Sequence, residues 1–268
     1  MVAYSKNLAG TRQILELAYK NQKYEHDSVF LIGGEEGKGK STFLLHCVSI
    51  IDELKKTQTP VQNITRNLKE LVVRMRLLQD CEQVALDEGA ELASDRQFDA
   101  IVRAVKKMFV VMRQKSFIVY ICFTNPLKIN TYFREDRVKG VFLITQRGTV
   151  NFYSRFTFME IMEAIKTQRK GIRSITNLTR LGTQPDLIDT FPKYEGELWK
   201  EYQKRKGENI KDIFEELFDE FGLDQKTYSL EKSAKFLHLS PEIMKQYLKD
   251  NRDFIPGMSA AVLFGCGR

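Results

Sequence analysis

Residues 33–42, GGEEGKGKST, stand between two apolar runs, VFLI before and FLLHCVSII after. Gly34, Gly39, Lys40 and Ser41 fall in the pattern G-x-x-x-x-G-K-S. The chemistry this spacing suits is the binding of a chain of phosphates. Glycines at 34, 37 and 39 let the backbone turn so that successive N–H groups point at anionic oxygens. The helix that follows aims its positive N-terminal end at the same point. Lys40 suits the β- and γ-phosphates of a nucleoside triphosphate, ATP above all, and Ser41 suits Mg²⁺. Lys38 and Thr42 complete the polar lining. A glycine-rich turn matching by chance is the competing reading. The apolar strand before it and the apolar helix after it favour the cradle.

A second pair of residues extends binding toward hydrolysis. The stretch EQVALDEG (82–89) reads as a short strand ending in Asp87 and Glu88. Asp87 would hold Mg²⁺ through water, and Glu88 would orient and deprotonate an attacking water. The expected position of these acids is the end of a strand neighbouring VFLI. An exposed Asp-Glu pair in a turn is the alternative. Transfer of phosphate to a substrate hydroxyl does not need a glutamate there, so the order Asp-Glu disfavours a small-molecule kinase. The apolar run FIVYICFTNP (117–126) reads as a buried strand leading to Asn125. Its amide could hydrogen-bond the γ-phosphate or the water; a plain turn asparagine before Pro126 remains the other reading.

The elements that must position these groups follow from apolar periodicity. Helical spacing marks 8–20, 41–55, 64–80 and 95–115, and a further helix opens at about 156. Short apolar runs mark strands at VFLI, at 82–89 and at 117–126. Two strands flank Arg147-Gly148 within 141–155, as in a hairpin. Strands alternating with helices predict an α/β fold with a mainly parallel sheet flanked by helices. The expected organisation is a core over 1–165, a basic linker over 166–193 and an all-α region over 194–268.

The core resembles the ASCE class of P-loop ATPases, whose sheet is RecA-like. The residues that carry the resemblance are the glycine loop, ALDEGAEL, Arg113, the strand ending TNP and the segment TYFREDRVKGVFLI. Over residues 25–155 the chain is similar, more narrowly, to HerA/FtsK-type DNA translocases and viral packaging ATPases. That family usually has Gln where Asn125 stands. The resemblance implies ATP and Mg²⁺ as cofactors, double-stranded DNA as partner and a homo-oligomeric ring with ATP at subunit interfaces. An arginine of one subunit would then serve its neighbour's ATP, with Arg113, Arg134 and Arg137 as candidates. A motor for DNA translocation or genome packaging is the first expectation. A non-translocating ATP switch, such as a helicase loader or transposition helper, is the alternative.

Residues 229–251 read as two short helices joined by HLS, a possible helix-turn-helix. A helical hairpin that packs on protein fits the same pattern. Charge bears on the choice. The chain has 268 residues and a formal charge of +7. Residues 195–268 hold 12 Lys and Arg against 14 Asp and Glu, while the rest holds 30 against 21. The positive field therefore belongs to the glycine-loop part. The four cysteines lack a CxxC spacing and read as reduced thiols, which suits a cytoplasmic or host-cell setting. MVAYSKNLAGTR shows no apolar secretory core, and no run approaches the ~20 apolar residues of a membrane span.

Overall fold

The computed structural model describes residues 2–92, 100–125, 128–167 and 183–207. Two compact units divide the chain, Met1–Trp199 and Lys200–Arg268. Of the second, residues 200–207 are described, and they are helical. The expected helix-turn-helix at 229–251 and the tail 257–268 lie outside the described residues.

The first unit is built on one eight-stranded sheet. Its strands are β1 (Ala3–Tyr4), β2 (Ser28–Gly33), β3 (Ile64–Thr65), β4 (Gln83–Leu86), β5 (Ile118–Phe123), β6 (Val138–Gln146), β7 (Thr149–Ser154) and β8 (Leu187–Thr190). Their spatial order is β1-β8-β7-β6-β2-β5-β4-β3. The pairs from β6 through β2, β5 and β4 to β3 are parallel, as is β1 with β8. Strand β7 runs antiparallel to both its neighbours. The α/β expectation therefore holds, with a mostly parallel sheet flanked by helices.

Both faces of the sheet are covered, which is why β2 and β5 are buried at every position rather than at alternate ones. Val29 and Leu31 of β2 face a cluster shared with α3 (Leu68–Leu77), α4 (Ala100–Val111) and α5 (Arg155–Thr167). Phe30 meets Tyr120 and Phe142 on the other face, and Phe43 of α2 (Lys40–Lys55) closes on Phe142. Helix α1 (Ala9–Gln22) packs against α2.

Three elements differ from the reading of the sequence. The helix expected over 64–80 begins later, because Ile64 and Thr65 pair with β4 and the Asn67 side chain accepts from Glu70 N–H to cap α3. The helix expected over 95–115 is α4 followed by a tighter turn at Met112–Lys115; residues 93–99 lie outside the described ones. The expected core ends at 165 and the linker at 193, yet Leu187–Thr190 inside that linker is β8 of the sheet. The tie is chemical. Asp189 of β8 is fully buried, and its carboxylate accepts from the Thr11 N–H and Thr11 hydroxyl, both at 2.9 Å, in the first turn of α1. That turn has no side-chain cap at its own Leu8. A remote strand thus adds an acceptor to the one that the local Ser5 hydroxyl offers the Gly10 N–H at 2.9 Å.

Candidate phosphate-binding site

Because β2, β3, β4, β5, β6 and β8 are co-directional, their C-terminal ends share one edge. Chain order reverses at β2: the chain leaves on one side for β3, β4 and β5, then on the other for β6, β7 and β8. Crevices form at such switch points, outside the carboxyl ends of the strands. The loop 34–39 occupies this one.

The loop's shape depends on its glycines at two points. Gly39 caps α2 at φ 101°, ψ 27°, a conformation that side chains disfavour. Gly34, at φ 154°, lies so close to β6 that a Cβ would stand 3.0 Å from the Ile144 carbonyl oxygen. Lys40 folds back over the loop and donates to the carbonyls of Gly34 at 2.9 Å and Glu35 at 3.0 Å. These bonds draw the loop around the ammonium group. Glu35 and Glu36 at the loop's apex are exposed, and Lys38 lies 3.6 Å from the Glu35 carboxylate.

Across the edge, Asp87 follows the last residue of β4. The Ser41 hydroxyl donates to Asp87 Oδ2 at 3.1 Å. The strand that carries Asp87 is not the immediate neighbour of β2, contrary to the expectation. Strand β5 stands between them. The consequence is that β5 delivers its own end, with Asn125 two residues beyond it, to the same edge between the loop and the acids. Glu88 is exposed beside Asp87. Cys122 of β5 is buried under this arrangement. Burial pushes its thiol pKa up, the Asp87 carboxylate that accepts its hydrogen bond pushes the same way, and Lys40 pulls it down.

Lys40, Ser41 and Asp87 are thus brought together, with Gly34, Gly37, Lys38, Gly39 and Thr42 around them. A hydroxyl and a carboxylate within hydrogen-bond distance at a helix N-terminus are a donor set that suits Mg²⁺, with water filling the other positions. No group of three or more His, Cys, Asp and Glu able to hold a metal occurs among the described residues. Any magnesium here would depend on the serine, water and phosphate oxygens.

The three candidate arginines lie elsewhere. Arg113 is exposed in the turn before β5. Arg134 and Arg137 lie in the turn Tyr132–Arg137 before β6. These are the N-terminal ends of the strands, the edge opposite the loop. Arg134 pairs with Glu135 at 3.0 Å. Arg137 is largely buried, pairs closely with Asp27, donates to the Phe109 carbonyl at 3.3 Å and stands over the Phe109 ring.

One arginine that the sequence did not single out does lie at the loop. Arg147, in the turn between β6 and β7, donates to the Gly37 carbonyl at 3.3 Å. The Arg-Gly pair is visible in the sequence, but only the strand order reveals that its turn borders the glycine loop. Comparison with protein-family models, with curated proteins and with solved structures finds no match to this chain.

Proposed function

We propose that this chain is a P-loop ATPase with a RecA-like core, and that it uses ATP hydrolysis to move double-stranded DNA as a ring of identical subunits. One observation carries the hydrolytic part: Ser41 and Asp87, 46 residues apart, meet at 3.1 Å beside a glycine loop and its lysine. The DNA part rests on the sequence resemblance and on the positive charge of the glycine-loop part of the chain.

ATP with Mg²⁺ would supply the reactive γ-phosphate and a concentrated positive charge. The protein's share is positioning and proton transfer. Lys40 exchanges the Gly34 and Glu35 carbonyls for β- and γ-phosphate oxygens. Ser41 and Asp87 would hold the metal, one through its hydroxyl and the other through water. Glu88 accepts a proton from the attacking water. Asn125 orients that water or the γ-phosphate. An arginine at the opposite edge could serve only another subunit's site, which makes Arg113, the exposed one of the three, the first to test.

The test is Glu88→Gln in the full chain. ATP affinity should be kept while turnover falls by about 10²–10⁴-fold; full turnover in that variant sinks the assignment. Double-stranded DNA should stimulate wild-type ATPase, and ATP should drive displacement of a triplex strand. Stimulation without displacement would reduce the motor to a switch.

A further inference from the structure

The location of the acids sets the direction in which a nucleotide can lie. Water must attack the γ-phosphate near Glu88, and the metal must sit near Asp87. Both follow β4, on the β5 side of the glycine loop. A triphosphate whose γ end points that way must carry its nucleoside toward the other side of β2. That side holds the β6–β7 turn and the segment that follows β8.

Three features make this flank a built surface. The turn is fixed by Gly148 at φ 82° and by Phe191 N–H donating to the Gly148 carbonyl at 2.9 Å. The Phe191 ring is buried between Phe43 and His46, and a Cβ on Gly39 would stand 3.7 Å from it. In the same turn Arg147 is exposed and paired with no carboxylate among the described residues. Among the described residues its one hydrogen bond is the 3.3 Å contact to Gly37 O at the loop's apex. A planar cation in such a position can release that carbonyl and lie against the face of a base.

We propose that Arg147 is a nucleoside clamp: its guanidinium holds the base end of the nucleotide from the same subunit. The inference rests on the nucleotide-binding reading above. It differs from an arginine finger, which acts at the γ-phosphate and would come from another subunit. Because stacking needs a π-face rather than a particular hydrogen-bond pattern, the clamp takes a nucleoside base without itself selecting one base over another.

The experiment measures Mg²⁺-dependent binding of ATP, ADP and inorganic tripolyphosphate to the full chain, to Arg147→Ala and to Arg147→Lys. Arg147→Ala should weaken ATP and ADP by the same factor, about tenfold, and leave tripolyphosphate unchanged. Arg147→Lys keeps the charge but not the plane, and should recover only part of the loss. Weaker ATP with ADP spared would assign Arg147 to the γ-phosphate and overturn the clamp. A parallel loss of tripolyphosphate would reduce Arg147 to a brace for the loop and also overturn it, as would unchanged ATP and ADP affinity. Failure of the wild-type chain to bind any of the three ligands would instead defeat the nucleotide reading itself.

Discussion

The two edges of the sheet treat their polar groups in opposite ways. At the N-terminal edge, long-range side chains tie loop to loop. Gln22 of α1 donates to the carbonyls of Cys81 at 3.0 Å and Ser116 at 2.6 Å. Arg137 closes on Asp27 and Phe109 O, and Lys115 donates to Leu78 O at 2.9 Å. At the C-terminal edge the bonds around the glycine loop are exchangeable, whether they span a few residues or, as between Ser41 and Asp87, 46. Lys40 holds carbonyls five and six residues away, and Ser41 holds a carboxylate that could equally hold a metal. The lesson is that polar groups needed for the fold are locked to partners that nothing replaces. Groups proposed to take a ligand are paired with partners that a ligand could replace.

That contrast predicts which variants lose stability and which lose chemistry. The largest effect on folding is expected from Arg137→Ala. It leaves the Asp27 carboxylate without its guanidinium and should lower stability by about 3–5 kcal/mol, read from the denaturant midpoint. Nucleotide affinity of the folded fraction should be kept. A variant of wild-type stability that loses ATPase activity only when assembled would break the contrast, because Arg137 would then act on a neighbour.

Gln22→Leu removes the donor that the Cys81 carbonyl shares with the buried Ser116 carbonyl and should cost about 1–3 kcal/mol, again with nucleotide binding intact. Asp189→Ala tests the same principle between elements. With the Thr11 N–H and hydroxyl left unpaired, a loss of about 1–3 kcal/mol is expected, together with faster amide exchange in the first turn of α1.

Ser41→Ala should behave in the reverse sense. Its thermal midpoint should stay within a degree or two, since the hydroxyl lies at an edge that tolerates exchange. Mg²⁺-dependent ATP binding should fall sharply. A large loss of stability would place the Ser41–Asp87 contact among the structural ties instead.

The smallest effect is a pH slope. Burial lowers the Lys55 pKa to about 8, while Cys81, Asp52 and Glu82 oppose the shift. Between that value and the ordinary lysine value of 10.5 the unfolded chain holds more protons. Stability should therefore gain from this residue as pH rises through the window, and the handicap is fully present below pH 8. Lys55→Met should flatten that part of the curve.

Much of the site can be read without coordinates because it is local. The spacing of Gly34, Gly39, Lys40 and Ser41 states a loop and the helix it opens, and apolar runs on either side state their context. The strand under Asp87 and Glu88 is equally local. What local pattern cannot state is adjacency. β3 and β1 are each two residues long, too short for any period to show. Strand β8 is hidden behind a glycine- and proline-bearing basic stretch that reads as linker, and its role becomes plain only when Asp189 meets Thr11.

The sequence alone determined the residue types: a glycine turn, a lysine, a hydroxyl, two acids and enough apolar runs for a parallel sheet covered on both faces. Tertiary structure decided their arrangement. It set β5 between the loop strand and the acidic strand, sent Arg113, Arg134 and Arg137 to the far edge, and brought Arg147 to the loop. The physical reason is that side-chain chemistry and backbone conformation are local properties, whereas strand order is settled by crossover connections that must bury both faces of one sheet.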